Sequence, residues 1–128
     1  MVHSRWQEHN GIRAISADFT TKLKNLYQNA LAYVFPSLME GFGLPGLEAM
    51  ANNCPVIASR AGSLPEIYGP AALYFNPHDV NEIAASIKKI VNDENLRIEL
   101  KKIGQEQIKK YSWDKCAKQT LDIYKSLE

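Results

Sequence analysis

The chain has 128 residues, 45% of them hydrophobic and 23% charged, with a formal net charge of +1. That length suits one domain with a core large enough to stand without disulfides or metals, and the mixed, nearly balanced charge gives no reason to expect a nucleic-acid partner. The polar start lacks a signal-peptide core and no apolar run approaches the length of a membrane span, so the expected location is cytoplasmic.

In chain order, Ile12–Ser16 is a short apolar-rich run expected to be a strand. Residues 20–30 carry Leu23, Leu26, Tyr27 and Ala30 at helical spacing. Ala32–Pro36 is a continuous run of β-formers, suited to a strand buried on both faces of a parallel sheet. Residues 36–43 hold Pro36, Ser37, Gly41 and Gly43, the marks of a loop. A helix follows, with Leu44, Leu47, Met50 and Ala51 on one side. Asn53 suits its end, because asparagine tolerates the left-handed conformation. Pro55–Ser59 is a second buried strand. Ser63 and Pro65 open a short helical piece in the next loop, and residues 71–77 give a further strand.

The remainder is helical. Asp79 and Glu82 are spaced as a capping box, ahead of the stripe Val80, Ile83, Ala84, Ile87, Ile90 and Val91. Asp93 caps a second helix carrying Leu96, Leu100 and Ile103. Ser112 caps a third, with Trp113, Cys116, Ala117, Thr120, Leu121 and Tyr124 expected on its buried side. Cys54 and Cys116 match no metal spacing and are expected as buried free thiols. His3, His9 and His78 are scattered and need no catalytic role.

This alternation predicts an α/β, Rossmann-like domain: a parallel sheet of about four strands, helices on both faces and a helical C-terminus. Ligands of such sheets bind beyond the carboxyl ends of the strands. There lies EGFGLPGLE, residues 40–48. Glycines let the backbone turn and approach a ligand closely, and Pro45 suits a first helical turn. Amide groups around Phe42 to Leu44 would point from the helix mouth toward an anion such as a phosphate. Glu40 in the loop and Glu48 about a turn inside the helix offer acceptors to the hydroxyls of a sugar. Arg60, Tyr68 and the loop Ala61–Glu66 are expected at the pocket wall.

The stretches FPSLMEGFGLPGLEAM, PVIAS and GSLPEIYG resemble the carboxyl-terminal domain of group 1, retaining, nucleotide-sugar glycosyltransferases of the two-domain GT-B fold. Glu40 and Glu48 match that family's E-x(7)-E signature, and AALYFNP, NLRIEL and YSWDKCAKQTLDIY agree with later parts of it. The resemblance implies that Glu40 contacts the transferred sugar and aligns its anomeric carbon. The backbone at Gly41, Phe42, Gly43 and Leu44 would meet sugar and diphosphate, and Glu48 the ribose hydroxyls. It implies a nucleoside diphosphate sugar as donor, no metal and no other cofactor. The full enzyme would have an amino-terminal acceptor domain and could rest on a membrane surface.

The family's phosphate-binding Arg and Lys lie well upstream of its signature, and only 39 residues precede Glu40 here. The expectation is therefore a single truncated donor-binding domain over 1–128, without turnover by itself. Ser16 and Asn53 stand where the family favours glycine.

Glycoside hydrolysis also uses two carboxylates, but places them across a groove on separate elements. A receiver-like signalling domain would need Asp18 as its phosphoryl acceptor. A non-catalytic α/β fragment could act through self-association, pairing an exposed sheet edge with another chain.

Overall fold

The computed structural model describes residues 7–9, 12–14 and 19–127. Two short strands open it, β1 (Gln7–His9) and β2 (Ile12–Ala14), paired antiparallel with His9 opposite Ile12. The strand expected at Ile12–Ser16 is therefore present in part, but it belongs to this ribbon. Among the described residues the parallel sheet has three strands rather than about four, in the order β3 (Tyr33–Phe35), β4 (Val56–Ser59), β5 (Ala72–Phe75). Only two residues separate β1 from β2, and so short a link allows only antiparallel pairing. Ser16 and Asp18 lie outside the described residues.

The register aligns Phe35 with Ala58 and Ala58 with Tyr74, so all three strands end on one edge. Side chains alternate between two packed faces. Tyr33, Phe35, Val56, Ala58, Ala72 and Tyr74 face the larger core, which also holds Tyr27, Leu47, Met50, Leu64 and Tyr68. Val34, Ile57, Leu73 and Phe75 face a smaller one with Ile83, Ile90 and Leu100. Helices thus cover both faces, as expected. All four residues of β4 are buried, whereas β3 is only half-buried along its length. The expectation that β3 would be enclosed fails because it is an edge strand.

Helix α1 (Phe19–Asn29) packs through Leu23 and Tyr27 while Leu26 stays exposed. Helix α2 (Leu44–Ala51) ends at Asn52, and Asn53 has φ 57°, the left-handed stop expected there. Helix α3 (Leu64–Tyr68) leads through a 3-10 turn at Gly69–Ala71 into β5.

In α4 (Val80–Asn92) the Asp79 carboxylate accepts from the Asn81 and Glu82 amides. Its contact seam is narrower than the sequence stripe: Ile83 and Ile90 pack inward, and Val80 is exposed. Asp93 caps α5 (Glu94–Ile108), whose Gly104 lies where a Cβ would come within 3.2 Å of Met50. That close approach seats α5 on α2. Ser112 caps α6 (Trp113–Lys125), but no α6 residue is buried and Trp113 is 77% exposed. The stripe expected in the core lies on the surface, and Cys116 is exposed while Cys54 is buried.

Among the described residues, no helix is long and apolar enough to cross a membrane.

Candidate functional site

The loop between β3 and α2 leaves the sheet at its carboxyl edge, beside the loop that follows β4. Gly43 is the residue on which it turns. Its φ is 84°, and it is the N-cap of α2. A Cβ there would lie 2.5 Å from both Leu64 Cδ2 and Tyr68 Oη, so conformation and space both demand glycine. At Gly46 a Cβ would stand 2.3 Å from the same phenol. Tyr68 fills the space left by the two glycines, and its hydroxyl donates to the Gly43 carbonyl. It is fully buried beneath the loop and does not line a pocket. Burial pushes its pKa well above 10.0, with a hydrogen bond from the Gly46 backbone N–H opposing. Gly41 is different: nothing lies within 4 Å of its missing side chain.

The mouth of α2 lies between buried Gly43 and exposed Leu44. No side chain caps it and no acidic residue occupies its first turn. The Leu44 amide stands at the positive end of the dipole, without an internal carboxylate to offset it. Pro45 is in the first turn, where a missing N–H costs nothing. Phe42 and Leu44, each partly exposed, flank this mouth, and the Phe42 ring meets Tyr111 edge-on at 5.3 Å.

Glu40 is half-buried and accepts a hydrogen bond of 2.9 Å from Ser37 Oγ. Glu48 is exposed and lies past the first turn of α2, so a mere dipole partner in that turn is not its role. The two acids converge on Tyr33. Its phenol is pushed above 10.0 first by burial, then by Glu40, then by Glu48. Glu48 also contributes at Tyr27, pushed up to about 12 mainly by burial, whose hydroxyl donates to the Pro45 carbonyl at 3.3 Å.

Arg60 follows β4 and is exposed, with its backbone N–H on the Phe75 carbonyl. The loop Ala61–Ser63 lies against Glu40: Ser63 Oγ donates to the Glu40 carbonyl at 2.9 Å, and Gly62 faces the Glu40 backbone. Sequence reasoning missed Tyr27, Tyr33 and the serines. The signal available for the buried ring was the Gly43–Gly46 spacing, which leaves room for something large. An open hollow of about 660 Å³ at the α4–α5 turn shares no residue with this loop.

A sequence profile for the family described as "Glycosyl transferases group 1" matches residues 5–107. The chain belongs to that family. Its relatives in the glycosyl transferase family include O-antigen chain mannosyltransferase B of Escherichia coli, 44% identical over 105 residues, covering 82% of this chain and 28% of that one. Another is the MMP alpha-(1->4)-mannosyltransferase of Mycolicibacterium hassiacum, 37% identical over 110 residues, covering 80% and 26%. Among solved structures, sucrose-phosphate synthase from Thermosynechococcus elongatus superposes with a TM-score of 0.72 at 36% identity, covering 79% of this chain and 26% of that one. The chain thus spans about a quarter of the length of these relatives.

Proposed function

We propose that this chain is the donor-binding part of a retaining glycosyltransferase, which moves a sugar from a nucleoside diphosphate sugar to an acceptor. Glu40 contacts the transferred sugar and aligns its anomeric carbon. The backbone from Gly41 to Leu44 meets the sugar and the diphosphate. Glu48 takes hydrogen bonds from the ribose hydroxyls. The leaving diphosphate is stabilised by the helix mouth rather than by a metal, because amides fixed in place need no reorganisation as charge develops. The acceptor site belongs to a separate amino-terminal domain. By itself the 128-residue chain binds donor weakly and does not turn over, since a phosphate site with one wall leaves most of the charge in water.

The observation that carries this reading is the uncapped mouth of α2 at Gly43, reached by the loop that holds Glu40 and with Glu48 on the same helix. Carboxylates near an anion site suit a ligand that carries hydroxyls beside phosphates. Two of the relatives are mannosyltransferases, which makes mannose the first sugar to test.

The test is a calorimetric titration of the chain with nucleoside diphosphates and their mannose and glucose conjugates. Millimolar binding is expected, weakened by Glu48→Ala for every ligand and by Glu40→Ala only for the conjugates. Absence of binding at saturating solubility would refute the donor reading. Sugar transfer by the isolated chain would refute its incompetence.

A second reading, a non-catalytic module acting through self-association, draws on the exposed apolar residues of α6: Trp113, Leu121, Ile123 and Tyr124. Chain association that is lost on replacing these by serine would favour it.

A further inference from the structure

Ser63 sits at the N-cap of α3, where a serine hydroxyl ordinarily accepts from the helix's own amides. It makes no such bond. Its hydroxyl instead donates to the carbonyl of Glu40, 23 positions earlier, at 2.9 Å. The cap expected from the sequence is given up for a contact with the candidate sugar-binding residue. Ser59, at the end of β4, does the same kind of work. It is 0% exposed, and its hydroxyl donates to the carbonyl of Ser37. Ser37 then donates to Glu40 Oε1 at 2.9 Å, with its hydroxyl also 3.2 Å from the Met39 carbonyl. Gly62 completes the seat: a Cβ there would press to 3.3 Å on the Glu40 amide nitrogen and carbonyl oxygen, and its φ of 56° already excludes most side chains.

We propose that Ser37, Ser59 and Ser63 are positioning residues that together fix the Glu40 carboxylate. The proposal rests on the donor-site reading of Glu40 and deepens it. Three hydroxyls, two of them from the β4–α3 segment, tie down the residue on either side of its Cα. Ser59 holds the backbone of Ser37, Ser37 holds the carboxylate, and Ser63 holds the backbone of Glu40 itself. A carboxylate that must address one hydroxyl near an anomeric carbon gains from this, because ordering a free glutamate on binding costs affinity. None of the three needs to touch the donor.

The experiment compares wild type with Ser37→Ala, Ser63→Ala, Ser37→Thr and Ser63→Thr in the isotopically labelled 128-residue chain. The first readout is the Glu40 side-chain rotamer, from NMR scalar couplings. A single rotamer is expected in wild type and both threonine variants, and averaged couplings in both alanine variants, with melting temperature tracked to separate unfolding from loosening. The second readout is the affinity of a nucleoside diphosphate mannose relative to the nucleoside diphosphate alone. One lost hydrogen bond should lower that ratio roughly 3- to 10-fold in each alanine variant and leave the nucleoside diphosphate affinity unchanged. Unchanged couplings in the alanine variants would overturn the proposal, as would averaged couplings with an unchanged ratio. A wild-type chain that binds neither ligand defeats the donor reading alone, because the couplings still decide the positioning.

Discussion

Replacing Gly43 by alanine should damage the fold far more than replacing Gly41, although both lie in one exposed-looking loop. Gly43 has φ 84°, where an L-residue costs about 1–2 kcal/mol. Its new methyl would also stand 2.5 Å from Leu64 Cδ2 and from Tyr68 Oη. Tyr68 cannot swing aside, being fully buried and bonded to the Gly43 carbonyl. Overpacking of this kind adds about 1–3 kcal/mol. The sum is about 2–5 kcal/mol, a large share of the roughly 5–15 kcal/mol that holds a domain together. Gly41 has open space around the added methyl and is not in the left-handed region, so its change should stay within about 0.5 kcal/mol. Urea unfolding of the two variants measures both. For a chain of this size Gly43→Ala should lower the melting temperature by on the order of 10 °C. Equal stabilities for the two variants would show that Tyr68 does not fill the space behind the loop.

Alkaline pH should destabilise the domain from about pH 9 upward. Burial raises Cys54 from 9.0 to about 11, and Tyr27 and Tyr74 from 10.0 to about 12. In that window the unfolded chain gives up protons that the folded chain keeps, so stability is full below it and falls as pH rises through it. Melting temperature against pH checks the direction, and a flat profile to pH 12 would contradict it. The Ile67 carbonyl accepts from both Gln107 Nε2 at 2.7 Å and Tyr111 Oη at 3.0 Å. Gln107→Ala or Tyr111→Phe alone should each cost about 1 kcal/mol, while the pair strands a buried carbonyl and should cost more than the sum. A double-mutant cycle on urea midpoints tests this. Ending the chain at Tyr111 removes α6, which buries none of its residues, so the melting temperature of the rest should shift by only a few degrees. A loss of cooperative unfolding would mean that α6 packs where the structure leaves it bare.

The sheet, the site loop and the helix order were legible because local signals and tertiary demands agreed there. Pro55–Ser59 reads as a buried strand, and Val56–Ser59 is one, since it is the middle of the three described in the parallel sheet. The mouth of α2 was legible from Pro45 and the glycines, because special backbone angles permit few residue types. What failed depended on neighbours that periodicity cannot see. The stripe of α6 is as regular as that of α4, yet α4 rests on the sheet through Ile83 and Ile90 while α6 buries none of its residues. Residues 12–16 read as a sheet strand on apolar content alone, without regard to the Asn10-Gly11 pair before them. That pair is a strong hairpin signal, and the antiparallel β1–β2 ribbon lies on either side of it. Ser63 has the right residue type at the right place for a cap, and only coordinates reveal that its hydroxyl serves Glu40.

The two glutamates of the candidate site differ in a way that fits different tasks under the proposed function. Glu40 is half-buried, and both its carboxylate and its carbonyl accept serine hydroxyls. Glu48 is exposed on a helix flank, with its influence reaching Tyr27 and Tyr33 from outside. A fixed acceptor suits the reacting sugar, where a displacement of an ångström costs rate. A free one suits a ribose, which needs only to be held and can share its hydroxyls with water. Immobilising Glu48 on binding costs about 0.5–1.5 kcal/mol, a cost that Glu40 has already met in folding. Removal of Glu48 should therefore cost less than a charged hydrogen-bond pair is worth in isolation, and its effect should be shared by every nucleotide that carries a ribose. Glu40 should act on sugar-bearing donors alone. A Glu48→Ala variant that discriminated between sugars while leaving nucleotide affinity intact would reverse the two assignments.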